Sequence, residues 1–507
     1  MESLIKAKLI AADKVTMHRV SLFTKQKSFL WLSIILITLP ILILFLIGEA
    51  SQLGLEGHVF GRGFEFMAAM LGIWLAIIFI WWGHRQGRFD LFEFPVWISL
   101  NIYIQVVLNV WLLQRDRFPI APWLRFNYEA PMVLAVLVFG VGLSALWVSY
   151  VLAFPLFGRK AKVIHFGERE VRLRSAFAVW LIGWIFFNFL IFTGSIGYLT
   201  GGSNLFDAWL NYIHLFNLIQ LTAGTGLVIH YLRHPTRFGR LWVILMFGSN
   251  VVSTLVLGTK GFVLTLIWIV MCIYYATGKF PVRWVVIGIL VLIVFVPIVN
   301  IYRHNLHDIN PGTGIAISER IKALSSAFQN FQEMSLKSLF ESTKDTFEIR
   351  QGSMLEITAS TMVLHPSTIP FLGSDMIKYF FTQLIPRLIW PTKPTERNPL
   401  FMITTSYYGA SEEYGFSSIG LFADSYRIGG WPFLIIWFAL CGIFSAWLYR
   451  AGPRSGYTPN VIFYIVMLQG IIYYDTEVTT ILLRLVHFVP FIFLLVKFVL
   501  FRPPKHY

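Results

Sequence analysis

The run VRWVVIGILVLIVFVPIVNIYR, residues 282–303, decides the fold class. A helix over residues 282–301 would rise about 30 Å, enough to cross the hydrocarbon core of a bilayer. Working outward, comparable apolar runs lie at about 29–47, 64–82, 95–113, 131–154, 175–194, 208–231, 241–257 and 262–277 on one side, and at about 430–448, 459–473 and 479–500 on the other. They predict an all-α polytopic membrane protein with about twelve transmembrane helices. Composition agrees. Of 507 residues, 56% are hydrophobic and 13% charged, and mean hydropathy is +0.67, outside the range of soluble domains.

The net charge of +15 would suit nucleic acid if the cations gathered on one soluble face. Instead they punctuate the apolar runs, so the lipid bilayer is the expected partner and nucleic acid is not. Cys272 and Cys441 both fall inside apolar runs, which supports neither a disulfide framework nor a thiolate metal site. Residues 1–28 carry Lys6, Lys8, Lys14, Arg19, Lys25 and Lys27 ahead of the run Phe29 to Ile47. That order resembles a signal sequence, but the run is longer than a signal core and many more follow, so an uncleaved anchor is expected.

Orientation follows from Lys and Arg. With the N-terminus cytoplasmic, the inside segments hold about 24 of them and the short outside loops about five, which by the positive-inside rule places both termini in the cytoplasm. One outer loop, QRDRFPIAPWLR (114–125), runs against the bias. The expected organisation is a basic N-terminus (1–28), nine spans (29–301), one large periplasmic loop (302–429), three spans (430–500) and a short tail (501–507).

The large outer loop is expected to be a substrate-binding cap containing interfacial helices. Ile317, Ile321, Leu324, Phe328 and Phe331 repeat at helical spacing with polar residues between, as in a helix lying on the bilayer or against the outer ends of the spans. A second helix is expected over about Ser353 to Leu364. HPSTIPFLG follows, and its prolines and glycine break both periodicities. Then comes the elbow QLIPRLIWPTKP (383–394), where Pro386, Pro391 and Pro394 forbid one regular helix and hold Arg387 and Lys393 beside Trp390.

Cations on the outer side are notable because orientation does not favour them there. Lys260 in the GTKG turn, Arg303 in YRHN, Arg350, Arg387 and Lys393 all fall near span ends on that face. Together they could converge on a highly charged anion such as a diphosphate, which guanidinium groups bind bidentately; each singly could equally snorkel to lipid headgroups. The acids on the same face are Glu412 and Glu413, Asp424 beside Tyr426 and Arg427, and Asp475 and Glu477. Asp424 could act on an acceptor hydroxyl or pair with Arg427. Arg484, inside the last run, could pair with Asp475 or Glu477. Phosphate-loop, HExxH, CxxC and GxSxG motifs are missing. His304 and His307 are poorly spaced for a metal, so metal-independent chemistry without a cofactor is expected.

LGTKG, YR after the ninth span, the isolated Arg350, IPRLIWPTKP and GLFADSYRIGGW occur in an order that resembles the bacterial O-antigen polymerases, or oligosaccharide repeat-unit polymerases, over roughly residues 250–450. Lys260 stands where that family more often has Arg, and Asp424 where it has Glu. The resemblance implies a glycosyltransferase of the bacterial inner membrane, similar to GT-C enzymes. Its donor and acceptor would be polyprenyl-diphosphate-linked oligosaccharides, and a flippase and a chain-length regulator would be its partners. It implies diphosphate binding by Lys260, Arg303, Arg350 and Arg387, with Lys393 and Trp390 in support. Asp424 would be the acceptor-binding or basic residue, with Tyr426 beside it and Glu412 or Glu413 in reserve. Two alternatives compete: an O-antigen ligase-like transferase, which would need a strong outer-face histidine, and a transporter or flippase, which would be expected to show repeated halves or charges at mid-span.

Overall fold

The structure is a computed structural model, and it describes residues 62–87, 89–113, 129–157, 171–192, 210–257, 262–309, 317–385, 390, 419–455, 457–471 and 477–501. Among these residues the chain is built of helices, with one isolated bridge between Val171 and Phe501. Every apolar run after residue 61 carries a helix: α1 (Arg62–Gln86), α2 (Phe94–Leu113), α3 (Glu129–Leu156), α4 (Leu173–Phe192), α5 (Leu210–Arg233), α6 (Arg237–Val256), α7 (Phe262–Thr277) and α8 (Val282–Ile309). The outer interval contributes α9 (Ile317–Gln332), α10 (Leu336–Leu364) and α11 (Ser374–Leu384). The chain then continues through α12 (Leu421–Ala451), α13 (Thr458–Ile471) and α14 (Val478–Leu494). The run Phe29 to Ile47 lies outside the described residues.

Seven helical stretches among the described residues are long and apolar enough to cross a membrane: Gly63–Gln86, Ala130–Leu156, Leu173–Ile191, Arg237–Val256, Val282–Leu306, Leu421–Ala451 and Val478–Leu500. Lipid cannot replace backbone partners, and a helix satisfies its own backbone. Polar side chains then bond across helices. Trp147 Nε1 donates to Ser99 Oγ at 2.9 Å, Trp268 Nε1 to Thr225 Oγ1 at 2.8 Å, and Ser253 Oγ to Asn188 Oδ1 at 2.7 Å. Each such bond contributes on the order of 1 kcal/mol.

At the centre, α3 and the second part of α12 run side by side in the same direction. Both Phe422 and Phe438 pack at Gly142, where a Cβ would come 2.7 Å from the Phe422 ring and 3.1 Å from Phe438. Further along, a Cβ on Gly442 would lie 2.4 Å from the Leu146 carbonyl oxygen, and Arg450 Nε donates to Phe154 O at 2.9 Å. Glycines at these places allow the two backbones to touch.

One end of the bundle is tied by a buried belt of acids and phenols. Asp90 accepts from Tyr449 OH at 2.8 Å and from Tyr275 OH at 3.2 Å, and Glu93 accepts from Trp82 Nε1 at 3.0 Å and from Tyr150 OH. Tyr464 OH donates to the Phe92 carbonyl. This joins α1, α3, α7, α12 and α13 to the turn before α2.

Among the described residues of the interval between Tyr302 and Gly429, α10 is worked into the bundle rather than laid over it. Along α10, Leu355, Ile357, Thr358, Ala359, Ser360 and Thr361 are buried, and the helix packs against α2 and α3 on one side and α8 on the other. Small and hydroxylated side chains make this possible: Thr358 and Thr361 return their hydroxyls to Met354 O and Ile357 O, both at 2.8 Å. The amphipathic helix expected at 317–331 is present as α9, with an unexpected rotation. Ile321 and Phe328 face outward, while Ala323, Ala327 and Arg320 are buried against Tyr302 and Leu306 of α8. Two alanines four residues apart let the helices approach more closely than Ile and Phe would.

Candidate functional site at the Asp424 end of the bundle

Leu421–Ala451 is two helices separated at Gly429 and Gly430. Gly430 has φ +65° and ψ −152°, a region almost closed to other residues. The chain folds back there, because Phe422, before the break, stacks on Phe438, after it, with centroids 4.1 Å apart. Residues 421–428 therefore form a short helical leg dipping into the bundle beside the span it precedes. Its Phe422 also meets Phe139 of α3 edge-on at 5.1 Å. Ile419, Leu421, Asp424, Ser425 and Arg427 are all buried. Non-helical backbone at this depth is tolerated only where protein surrounds it.

The loop after α10, expected as a turn at HPSTIPFLG, caps this leg. Leu372 N–H donates to Arg427 O at 3.1 Å and Gly373 N–H to Ile428 O at 2.9 Å. His365 and Phe371 stack at 6.1 Å, Phe371 meets Tyr426 edge-on at 5.8 Å, and Tyr426 meets Trp431 at 5.4 Å. An aromatic wall so formed closes one side of the charged groups.

Those groups come from two places in the sequence, residues 424–427 and Glu477. Arg427 donates to Asp424 Oδ1 through NH2 at 2.6 Å and through Nε at 3.1 Å, as their i,i+3 spacing on one helix allows. The other oxygen, Oδ2, accepts the Val478 N–H at 2.8 Å. Glu477, one residue before α14, places Oε1 3.9 Å from Arg427 NH2. Asp424 is 1% exposed and Glu477 4%, so this is a dry cluster of two acids and one arginine.

Burial, then the Asp424 carboxylate, pushes Glu477 up to about 8, with Arg427 opposing. Burial, then the Arg427 charge, lowers His365 to about 4, with the carbonyls of Pro370 and Ile369 opposing. At neutral pH the imidazole is uncharged and Glu477 titrates close to the working range. Two carboxyls in unlike settings can divide labour, one fixed as a partner and the other free to exchange a proton. Asp424 has both oxygens engaged, which is the arginine-pairing alternative its sequence left open. Glu477 Oε1 is buried without a hydrogen-bond partner.

Of the residues picked from sequence, Asp424 and Tyr426 fall in this cluster, with Arg427 and Glu477, which were named beside them. Arg303, half-buried on α8, lies elsewhere: it follows Tyr302, whose hydroxyl donates to Val256 O at 2.9 Å and so anchors α8 to the end of α6 just before the GTKG turn. The backbone of Arg350 lies on α10, the helix between that region and the cluster. Trp390 is 36% exposed. Lys260, Arg387, Lys393, Glu412, Glu413 and Asp475, and the side chain of Arg350, lie outside the described residues. Arg484 lines a small cavity with Leu218, Met467 and Phe488. Among the described residues, no three His, Cys, Asp or Glu side chains are placed to hold a metal ion.

Sequence reading missed His365, Arg320 and Glu356. Arg320 is 1% exposed on α9 beside Tyr302, and Glu356 is buried on α10. Their signal was weak: each is a polar residue on what reads as a surface helix, and only the burial of that face sets them apart. For His365, the breakers of HPSTIPFLG marked a fixed loop without saying what it covers.

Fold and site together define a helical membrane protein with a buried charged cluster at one end of its bundle. The chain belongs to the family described as a domain of unknown function, DUF8712, whose model matches residues 182–451. That match begins within α4 and stops at the end of α12, so it holds Arg303, Arg320, His365, Asp424 and Arg427, together with Tyr275 and Tyr449 of the buried belt, and excludes Glu477, Asp90 and Glu93. No curated protein and no solved structure matches the chain.

Proposed function

We propose that this protein is an oligosaccharide repeat-unit polymerase, joining polyprenyl-diphosphate-linked units into a surface polysaccharide at the periplasmic face of the bacterial inner membrane. In this reading about twelve helices cross the bilayer, both termini are cytoplasmic, and residues 302–429 belong to the outer face. The observation that carries it is the dry Asp424, Arg427 and Glu477 cluster.

The acceptor sugar hydroxyl attacks the anomeric carbon of the donor. Its oxygen forms the new glycosidic bond while the bond from that carbon to the lipid diphosphate breaks, and the diphosphate leaves with the electron pair. The acceptor proton passes to Glu477, whose raised affinity suits a base working near neutrality. Asp424 holds Arg427 beside Glu477 and so acts as a positioning residue. Arg303, Arg350 and Arg387, with Lys260 and Lys393, stabilise the charge gathering on the leaving diphosphate.

One observation favours a second reading, a ligase-like transferase passing finished glycan to another acceptor: His365 is an uncharged imidazole next to Arg427. A strain lacking the gene separates the two. Complementation with wild type restores long lipid-linked chains under the polymerase reading, whereas Glu477→Gln and Arg387→Ala leave single repeat units. Long chains persisting on their polyprenyl carrier in the deletion strain would transfer the assignment to the ligase, and unchanged glycan would remove both.

A further inference from the structure

We infer that the end of the bundle opposite Asp424 carries a binding site for one anionic phospholipid, with its phosphate among Arg85, Arg450 and Arg454. The inference rests on the chain being a membrane protein and not on the glycan reading. A cavity of about 230 Å³ opens between the last turn of α1, the end of α3 and the end of α12, and among the described residues the charged side chains lining it are these three arginines. Arg450 lies 4.2 Å above the Phe154 ring while its Nε is fixed on Phe154 O. Arg454 stands 5.8 Å from the same ring and donates to Gln86 Oε1, and Arg85 stacks over Trp81 at 5.2 Å. Stacking on aromatic faces holds the guanidinium planes in place before any ligand arrives. Like charges gathered around one half-buried cavity repel each other, and an anion relieves that repulsion.

The same two helices supply the apolar part. Next to the arginine cavity, a second one of about 550 Å³ runs between α1 and α3, lined by Met67, Met70, Trp74, Gly140, Val148 and Ile435. Val148 of this groove and Val151 of the arginine cavity are within one helical turn, so the two lie next to each other along α3. Met70, Ile77, Val148 and Leu152 are strongly exposed, as side chains facing lipid are. A phosphate site at the mouth of an apolar groove matches a phospholipid with its headgroup at the interface and a tail along the groove. By the positive-inside rule, Arg85, Arg450 and Arg454 lie on the cytoplasmic side, away from the proposed reaction.

The test uses the full chain in nanodiscs of phosphatidylcholine with or without phosphatidylglycerol, read by native mass spectrometry after delipidation and by thermal unfolding. Wild type is expected to keep one phosphatidylglycerol and to gain Tm from it, while the double variant Arg450→Gln, Arg454→Gln loses retention by about tenfold or more. Gly140→Leu is the companion variant, because a Cβ at Gly140 meets nothing within 4 Å and the new side chain fills the groove with the arginines intact. It too should lower retention, with unchanged Tm in phosphatidylcholine. Equal retention of phosphatidylcholine, retention unaffected by Gly140→Leu, or a Tm gain from inorganic diphosphate alone equal to that from the lipid would each overturn the site. The first would mean no headgroup selection, the second a groove filled by other means such as this chain's own Phe29 to Ile47, and the third a site for soluble anions.

Discussion

Asp424 Oδ2 accepts the backbone N–H of Val478 at 2.8 Å, joining the folded-back leg before one span to the first residue of another, 54 positions further on. The same carboxylate holds Arg427, so one side chain fixes both a helix start and a buried cation. Replacing Asp424 with Ala removes the acid bonded to the buried Arg427 at 2.6 Å, while Glu477 stands 3.9 Å from the same guanidinium. The expected cost is about 3–5 kcal/mol, as for other buried pairs that lose one partner. Asp424→Asn keeps an acceptor for Val478 and should cost less. Unfolding in detergent measures both, and an Asp424→Ala protein as stable as wild type would show that the pair does not hold the leg.

Gly430 is the hinge of the fold-back. At φ +65° and ψ −152°, with the Phe371 ring 3.1 Å from where a Cβ would stand, Gly430→Ala should lose about 1–3 kcal/mol. Gly248, in the middle of α6 with open space around it, is the control: Gly248→Ala should gain up to about 1 kcal/mol. Similar melting temperatures for the two variants would contradict the strain assigned to the hinge.

The cluster predicts a pH profile. Glu477 binds its proton more tightly folded than unfolded, so its contribution to stability is complete below about 4.5 and is lost as pH rises through about 8. His365 binds its proton less tightly folded, so its contribution is complete above about 6.5 and is lost as pH falls through about 4. The two oppose each other between about 4.5 and 6.5, leaving a decline from about 6.5 to 8 that belongs to Glu477 alone. Melting curves across this range should show the decline in wild type and not in Glu477→Gln. Under the proposed polymerase reading, activity should instead rise with pH through about 8 as Glu477 becomes able to accept a proton.

At the other end of the bundle, Glu93 receives hydrogen bonds from Trp82 and Tyr150, both fully buried. Glu93→Ala strands both donors, at about 1–3 kcal/mol each. Tyr150→Phe removes a donor and leaves Glu93 bonded to Trp82, so it should cost less. The ranking, read from chemical unfolding in mixed micelles, is the check; equal losses would mean that the belt contributes nothing beyond packing.

Residue patterning alone determined much of this protein. Runs such as 282–301 read as helices in lipid, because a helix satisfies its backbone within one segment and about twenty apolar residues are the length it needs to cross, and each run after residue 61 carries one. The i,i+3 pair Asp424 and Arg427 and the double glycine at 429–430 were also readable, since both act within a helical turn or two. Tertiary structure alone decided that LFADSYRI turns back beside its own span instead of extending it, that Glu477 and His365 join Asp424 from remote segments, and that α9 buries its alanines and leaves its isoleucine exposed. Hydropathy averages a helix over its whole circumference and measures affinity for lipid, which a lipid-facing and a protein-facing side share. It therefore carries no information on which face meets a neighbour, and the site is built from those neighbours.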